Sequence, residues 1–332
     1  MSNATSYELD VVVTRGPAIE SIHRVSAAVV KDDAIIGYAR NPEHEAYWRS
    51  CAKPFQLMPF IESNGLDELG WGADEIALAC ASHGGEPEHV AIAERMLTDL
   101  GLEEGDLACG VAEPLSQRGQ RLLRESGDRT TRLHNNCSGK HAAMLARAQG
   151  AQWPTAGYDH LEHPVQQSIV QEIERWTGVP RSGMKIARDG CGVPVFGLSL
   201  EAMARAFARF AASIRAGDEI PRRVGDAMLA NPFLVGGTDR FDTVLMEEVP
   251  GIVCKIGAEG VHSAAVVASG IGLAIKVEDG ASRAQYPALL ALLQHLGVVP
   301  ASLPERLAEH ARKPVRNTRH EIVGEIVVRA MM

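Results

Sequence analysis

The distribution of apolar runs along the 332-residue chain restricts its fold more than any single motif does. Short β-branched runs lie near both ends, and helical periodicity fills the middle. Leu9 to Thr14 and Ile19 to Val30 read as strands, with alternation visible in Ser21–Val25. Ala34 to Tyr38 reads as a third strand after a turn at Lys31-Asp32-Asp33. Helices are expected at about 51–63, 73–82, 86–100, 115–126, 140–149 and 163–177. In the last of these, Val165, Ile169, Ile173 and Trp176 recur at helical spacing. A short strand over Met184–Ala187 precedes helices over 200–216 and 222–229. Gly251–Lys255, Val261–Ala268 and Leu273–Val277 then read as three strands with glycine turns, followed by a helix over 281–296 and a last strand over 321–330.

Strands grouped at both ends, with helices between them, predict an α+β fold rather than a repeating βαβ chain. The terminal strands are expected to join one antiparallel sheet with the first helix laid against it. No repeat, low-complexity tract or linker interrupts the chain. Residues 1–332 are therefore expected to form a single domain, with a sheet lobe from about 8–60 and 240–332 and a helix-rich lobe over about 61–239.

A net charge of −9 disfavours binding to nucleic acid or to an anionic membrane. The start Met1-Ser2-Asn3-Ala4-Thr5-Ser6 has neither a basic nor an apolar stretch, so no signal peptide is expected. The apolar segment Ala264 to Val277 is too short to span a bilayer and is broken by Gly270 and Gly272. A cytoplasmic location follows, and the six cysteines are expected to be thiols or ligands rather than disulfides.

Four stretches carry candidate chemistry. In Arg49-Ser50-Cys51-Ala52-Lys53-Pro54-Phe55, a Ser-x-x-Lys spacing falls where Pro54 marks a helix start near Ser50. Residues three apart share a helix face, so the Lys53 amine can reach the Ser50 hydroxyl, as in an activated acyl-transfer nucleophile. A lysine acting as base must be neutral, which burial and neighbouring cations favour. Cys51 is expected to be a packing position.

The second stretch, Ala79-Cys80-Ala81-Ser82-His83-Gly84-Gly85-Glu86, would aim Ser82 from a helix end into a cleft. Its plainer reading is a glycine stop followed by a Glu-Pro helix restart. The third feature is a pair of loops, His134–His141 and Ala187–Pro194. Each offers one cysteine, Cys137 or Cys191, in a polar, glycine-containing setting. Two such thiolates with a nitrogen or oxygen ligand could hold zinc, and Asp189 could support them; two structural thiols is the plainer alternative. Gly139-Lys140 lacks the spacing of a phosphate loop. In the fourth, Val253-Cys254-Lys255-Ile256-Gly257-Ala258-Glu259-Gly260, Lys255 ends an apolar strand with a glycine two residues on. Acyl-serine enzymes of the β-lactamase kind place a Lys-x-Gly on an edge strand in the same chain order.

Together these segments resemble the L-asparaginase II family of the rhizobial type. The residues that carry the likeness are Arg49–Pro54, Ala81–Gly84, Asn136–His141, Asp189–Pro194 and Lys255–Gly260, and it extends over about residues 10 to 330. The resemblance implies a serine β-lactamase-like and glutaminase-like fold, and hydrolysis of L-asparagine to aspartate and ammonia. It implies two Ser-Lys tandems, Ser50 with Lys53 and Ser82 with Lys255, and a zinc site from Cys137, Lys140 and Cys191. For a zwitterionic substrate, Arg49 and Arg240 are candidates for the carboxylate and Asp189 for the ammonium. The backbone N–H groups of Ser50 and Ala258 are candidates for the oxyanion. A glutaminase, a β-lactamase-like hydrolase and a zinc-stabilised asparagine sensor are the alternatives; two Ser-Lys pairs argue against a pure sensor. A homodimer is the expected assembly.

Overall fold

A computed structural model describes residues 4–332, so Met1, Ser2 and Asn3 of the segment read above for a leader lie outside the described residues. The chain divides into two compact units. One comprises Met1–Cys51, Leu198–Ala212 and Val244–Met332; the other comprises Ala52–Gly197 and Ser213–Thr243. No helix among the described residues is long and apolar enough to cross a membrane.

The first unit is built on two sheets rather than the single one expected. A six-stranded sheet runs Thr5–Ser6, Ala34–Ala39, Val25–Lys31, Ile271–Val277, Val261–Val266, Ile252–Ile256. Its pairings are antiparallel except for Thr5–Ser6 alongside Ala34–Ala39. The three central strands are almost wholly buried, as expected of mainly apolar strands covered on both faces, and they bury Ser26, His262 and Ser263 with them. Asp32 and Asp33 form a two-residue turn between Lys31 and Ala34, both at positive φ, which matches the twist of a tight hairpin. On this sheet a Cβ at Gly272 would lie 2.0 Å from the Ala208 nitrogen, so the helix Leu200–Ala216 crosses it backbone to backbone.

The second sheet is four-stranded and antiparallel, in the order Lys313–Arg316, Ile322–Val328, Val11–Arg15, Ala18–His23. The helix Ser282–His295 packs against strands of both sheets. The stretch Ile19–Val30, expected as one strand, is two, and they belong to different sheets. The buried Asp10 carboxylate accepts the Val25 N–H at 3.1 Å and an Arg40 hydrogen bond at 2.7 Å, while Glu278 N–H takes the Arg24 carbonyl at 2.9 Å. With its polar groups spoken for at that point, the chain leaves one ladder and enters the other.

The second unit is mainly helical. Lys53–Glu62, expected against the sheet, belongs here and packs on Pro164–Thr177, Ser138–Gly150 and Ala73–Cys80. Its residues 53 to 61 are all buried, as a helix apolar on every side must be. Gly139 permits a close contact between two helices: a Cβ there would meet the Leu78 carbonyl oxygen at 2.5 Å. A hairpin pairs Lys185–Arg188 with the strand Pro194–Ser199 and carries Asp189 and Cys191 in its turn.

Candidate active site

Each unit carries one serine and one lysine of the four singled out. In the helical unit these are Lys53 and Ser82. Lys53 opens its helix, with Pro54 following where its missing N–H costs nothing. Only 1% of Lys53 is exposed, and a cation at a helix N-terminus meets the wrong end of the dipole. Three oxygens compensate. Nζ donates to the Ala81 carbonyl, to the Asn136 carbonyl at 3.2 Å, and lies 3.4 Å from Ser82 Oγ. Ser82 follows the helix Ala73–Cys80 in extended backbone and is 5% exposed. Its N–H donates to the Val235 carbonyl at 3.1 Å, and its own carbonyl accepts from Arg240 Nη1 at 2.7 Å. Arg240 also lies 3.4 Å from the Gly236 carbonyl.

His83 is buried behind Ser82. Its Nδ1 accepts from the Gly85 N–H at 3.1 Å, and Nε2 faces Ser138 Oγ at 2.9 Å. Burial, with His89 and Lys53 nearby, holds its pKa well below the usual histidine value, so the ring is neutral.

In the sheet unit the residues are Ser50 and Lys255. Arg49 and Ser50 sit in the 3-10 turn Arg49–Ala52, not yet in the α-helix, and Arg49 is at φ +53. Lys255 is fully buried in the strand Ile252–Ile256, and its Nζ donates to the Ile256 carbonyl at 2.9 Å. Cys51 does more than fill space: its thiol donates to the Lys255 carbonyl at 2.9 Å. A Cβ at Gly257 would lie 3.1 Å from that sulfur, so a side chain there would press on the contact between the Ser50 turn and the Lys255 strand. Ala258 is exposed in the hairpin turn beyond.

The third set also lies within the helical unit. Cys137 precedes the helix Ser138–Gly150, and Lys140 is one turn on, on the same face. Lys140 Nζ lies 3.1 Å from Cys191 Sγ. The Cys137 thiol hydrogen-bonds to Cys191; with Lys140 alongside, this outweighs burial and brings the Cys191 thiol down to about 5. The same bond, with burial, pushes Cys137 up to about 12. Burial would lower Lys140, but the charges of Cys191, Cys137 and Asp189 raise it. Two soft sulfurs and one amine, all buried and in mutual contact, suit zinc by ligand type, with the lysine proton given up on binding. Asp189 is half-buried, and its Oδ1 accepts the Gly190 N–H at 2.8 Å. None of the six cysteines forms a disulfide among the described residues.

Sequence reasoning missed the Asn136 carbonyl as an acceptor for Lys53, Cys51 as an anchor, and Glu86. The Glu86 carboxylate is completely buried; it accepts from Thr238 N–H and Thr238 Oγ1, each at 2.7 Å, and from Arg118. The one local sign was a glutamate directly after two glycines.

These residues are carried by an α+β frame. The chain is a member of the L-asparaginase II family, whose profile it matches over residues 11–328. Comparison with curated proteins gives no match. Among solved structures it is similar to Mglu in its native form, at 14% identity over 82% of this chain and 61% of that one, with a TM-score of 0.47. It is also similar to the Bacillus subtilis glutaminase YbgJ in covalent complex with 5-oxo-L-norleucine, at 13% identity over 83% and 88% of the two chains, TM-score 0.37. A Bacteroides dorei protein assigned as a beta-lactamase is a third, at 11% identity over 82% and 94%, TM-score 0.41. The chain spans less than two thirds of the native-form Mglu chains it matches, 61% and 63% of their length.

Proposed function

We propose that the protein is an amidohydrolase that converts L-asparagine to L-aspartate and ammonia through an acyl-serine intermediate. The observation that carries this reading is the Lys53–Ser82 contact of 3.4 Å. An amine that donates two N–H bonds to the Ala81 and Asn136 carbonyls turns its third position toward the Ser82 hydroxyl. In the neutral amine that position is the lone pair, which is the arrangement a proton relay needs.

In the proposed sequence, Ser50 attacks the side-chain amide carbon and Lys53 takes its proton. Lys53 passes a proton to Ser82, which gives its own to the departing nitrogen. The C–N bond breaks, ammonia leaves, and an aspartyl ester remains on Ser50. Water then attacks the ester by the reverse relay and restores the serine. Lys255 tunes the relay, and the Ser50 and Ala258 N–H groups receive the oxyanion. Arg49 and Arg240 are assigned to the substrate carboxylate, and Asp189 to its ammonium. Cys137, Lys140 and Cys191 would hold zinc, whose contribution is a fixed positive charge that shapes the pocket. A homodimer is the proposed assembly.

The test is ammonia release from L-asparagine and L-glutamine, run beside ring opening of a β-lactam. Asparagine should be preferred; one methylene in the pocket distinguishes glutamine by only about 1–3 kcal/mol. Activity should vanish in Ser50→Ala, Ser82→Ala and Lys53→Met, with the circular dichroism spectrum retained. A Ser82→Ala protein with full activity would sink the relay.

A further inference from the structure

Glu86 is a fully buried carboxylate to which the proposed chemistry gives no role. Taking a carboxylate out of water is costly unless every lone pair finds a donor. Here both oxygens are occupied; beside Arg118 and Ser116, two donors belong to one residue of a loop far away in the chain. Oε1 receives the Thr238 N–H and Oε2 the Thr238 hydroxyl, both at 2.7 Å. Arg118 adds its guanidinium at Oε2 and pairs on its outer side with Glu88.

The loop so held is tightly seated. A Cβ at Gly237, which sits at φ +121, would lie 2.8 Å from Glu86 Oε1 and 3.2 Å from the Gly84 Cα. Thr243 Oγ1 brackets the same glycine, accepting its N–H at 3.1 Å and donating to its carbonyl at 2.8 Å. The segment reaches Ser82 from both sides. Val235 offers its carbonyl to the Ser82 N–H, and Arg240 donates to the Ser82 carbonyl at 2.7 Å. The Ser82 main chain is therefore clamped by residues 235 to 240, and that clamp is fastened at Thr238 by Glu86.

We propose that Glu86 is a positioning residue for Ser82, fixing the Gly237–Arg240 loop so that Arg240 holds the Ser82 carbonyl and its hydroxyl stays on Lys53. The inference rests on the reading of Ser82 and Lys53 as a proton relay. Glu86→Gln keeps the shape but turns an amide donor toward groups that are themselves donors. Its kcat for ammonia release should fall by about 10- to 100-fold with KM nearly unchanged, the cost of a sub-ångström misplacement. Glu88→Gln, which loses the same arginine at the surface but does not touch Thr238, should keep its kcat. Because Glu86 acts through Arg240, the losses in Glu86→Gln and Arg240→Ala should not multiply in the double variant. A wild-type kcat in Glu86→Gln, or losses that multiply fully, overturns the proposal. Amide exchange supplies a readout independent of turnover: peptides covering 81–86 and 235–240 should exchange faster in Glu86→Gln, and unchanged exchange also overturns it. If the wild-type protein releases no ammonia from either amide, the relay reading fails while the exchange result still decides what Glu86 holds. Should Glu86→Gln fail to fold, Thr238→Val, which deletes a single hydroxyl bond, carries the same measurements.

Discussion

Replacing Gly139 by alanine should destabilise the protein, although the same change in an open helix would stabilise it. Gly139 lies in the second position of the helix Ser138–Gly150. An added Cβ would stand 2.5 Å from the Leu78 oxygen, 2.7 Å from Leu78 Cγ and 2.8 Å from the Leu78 carbonyl carbon. Two of these three atoms are backbone and cannot rotate away. Relief to an ordinary contact of about 3.4 Å requires the two helices to part by nearly 1 Å, and overpacking of this kind costs about 1–3 kcal/mol. Against this stands the gain of alanine over glycine within a helix, about 1 kcal/mol. The net is a loss of up to about 2 kcal/mol, read as a lower urea midpoint with an unchanged slope. Gly150 provides the internal control. It ends the same helix, and a Cβ there meets no atom within 4 Å. Gly150→Ala should raise the midpoint slightly, by up to about 1 kcal/mol. A Gly139→Ala protein as stable as the wild type would show that the helices Ala73–Cys80 and Ser138–Gly150 are not in backbone contact, and the packing argument would fall.

Two further predictions concern metal and pH. Purified protein supplied with zinc should hold about one equivalent per chain, and Cys137→Ser or Cys191→Ser should lose it. Affinity should drop as pH falls, because binding must displace the Lys140 proton; metal-free wild-type protein after zinc loading would remove the site. His83 and His89 are both held below the ordinary histidine value of 6.5, chiefly by burial. Below that pH the unfolded chain takes up protons that the folded one refuses. Stability should therefore decline from about pH 6.5 downward, by up to about 1.4 kcal/mol per pH unit per histidine, until the lowered folded values are reached. Urea midpoints at several pH values check this, and His83→Asn with His89→Gln should flatten the slope; an equally steep decline in that variant contradicts it.

What could be read from the sequence was whatever local chemistry dictates. The strands Ile252–Ile256, Val261–Val266 and Ile271–Val277 announced themselves as apolar runs cut by glycine. The Lys31–Ala34 turn was legible because two aspartates interrupt a β-branched run. The break at Arg24 was not, because it is imposed by Asp10, 15 residues away, while the apolar alternation passes straight through. Cys137 and Cys191 were singled out by residue type and Lys140 by the family resemblance, and Lys140 reaches Cys191 although they are 51 residues apart. Ser82 was singled out from its setting, but nothing local says that Lys53 faces it. Glu86 stayed hidden because a glutamate before proline reads as a helix start, and its partner Thr238 lies 152 residues on.

The neighbours in the six-stranded sheet also bear on how the chain is made. Val25–Lys31 is synthesised well before one of its two flanking strands, Ile271–Val277, which is translated about 240 residues later. At roughly 5–20 residues per second, that interval is on the order of 10–50 s. Through it, the Val-Ser-Ala-Ala-Val-Val run keeps one hydrogen-bonding edge without its final partner, which is the condition under which β-prone segments pair with the wrong chain. The residues of the helical unit, which ends at Thr243, are all made before Ile271–Val277. Expression yield should therefore be governed by the early strand: slower synthesis or scarce chaperone lengthens its exposure, whatever the stability of the finished fold.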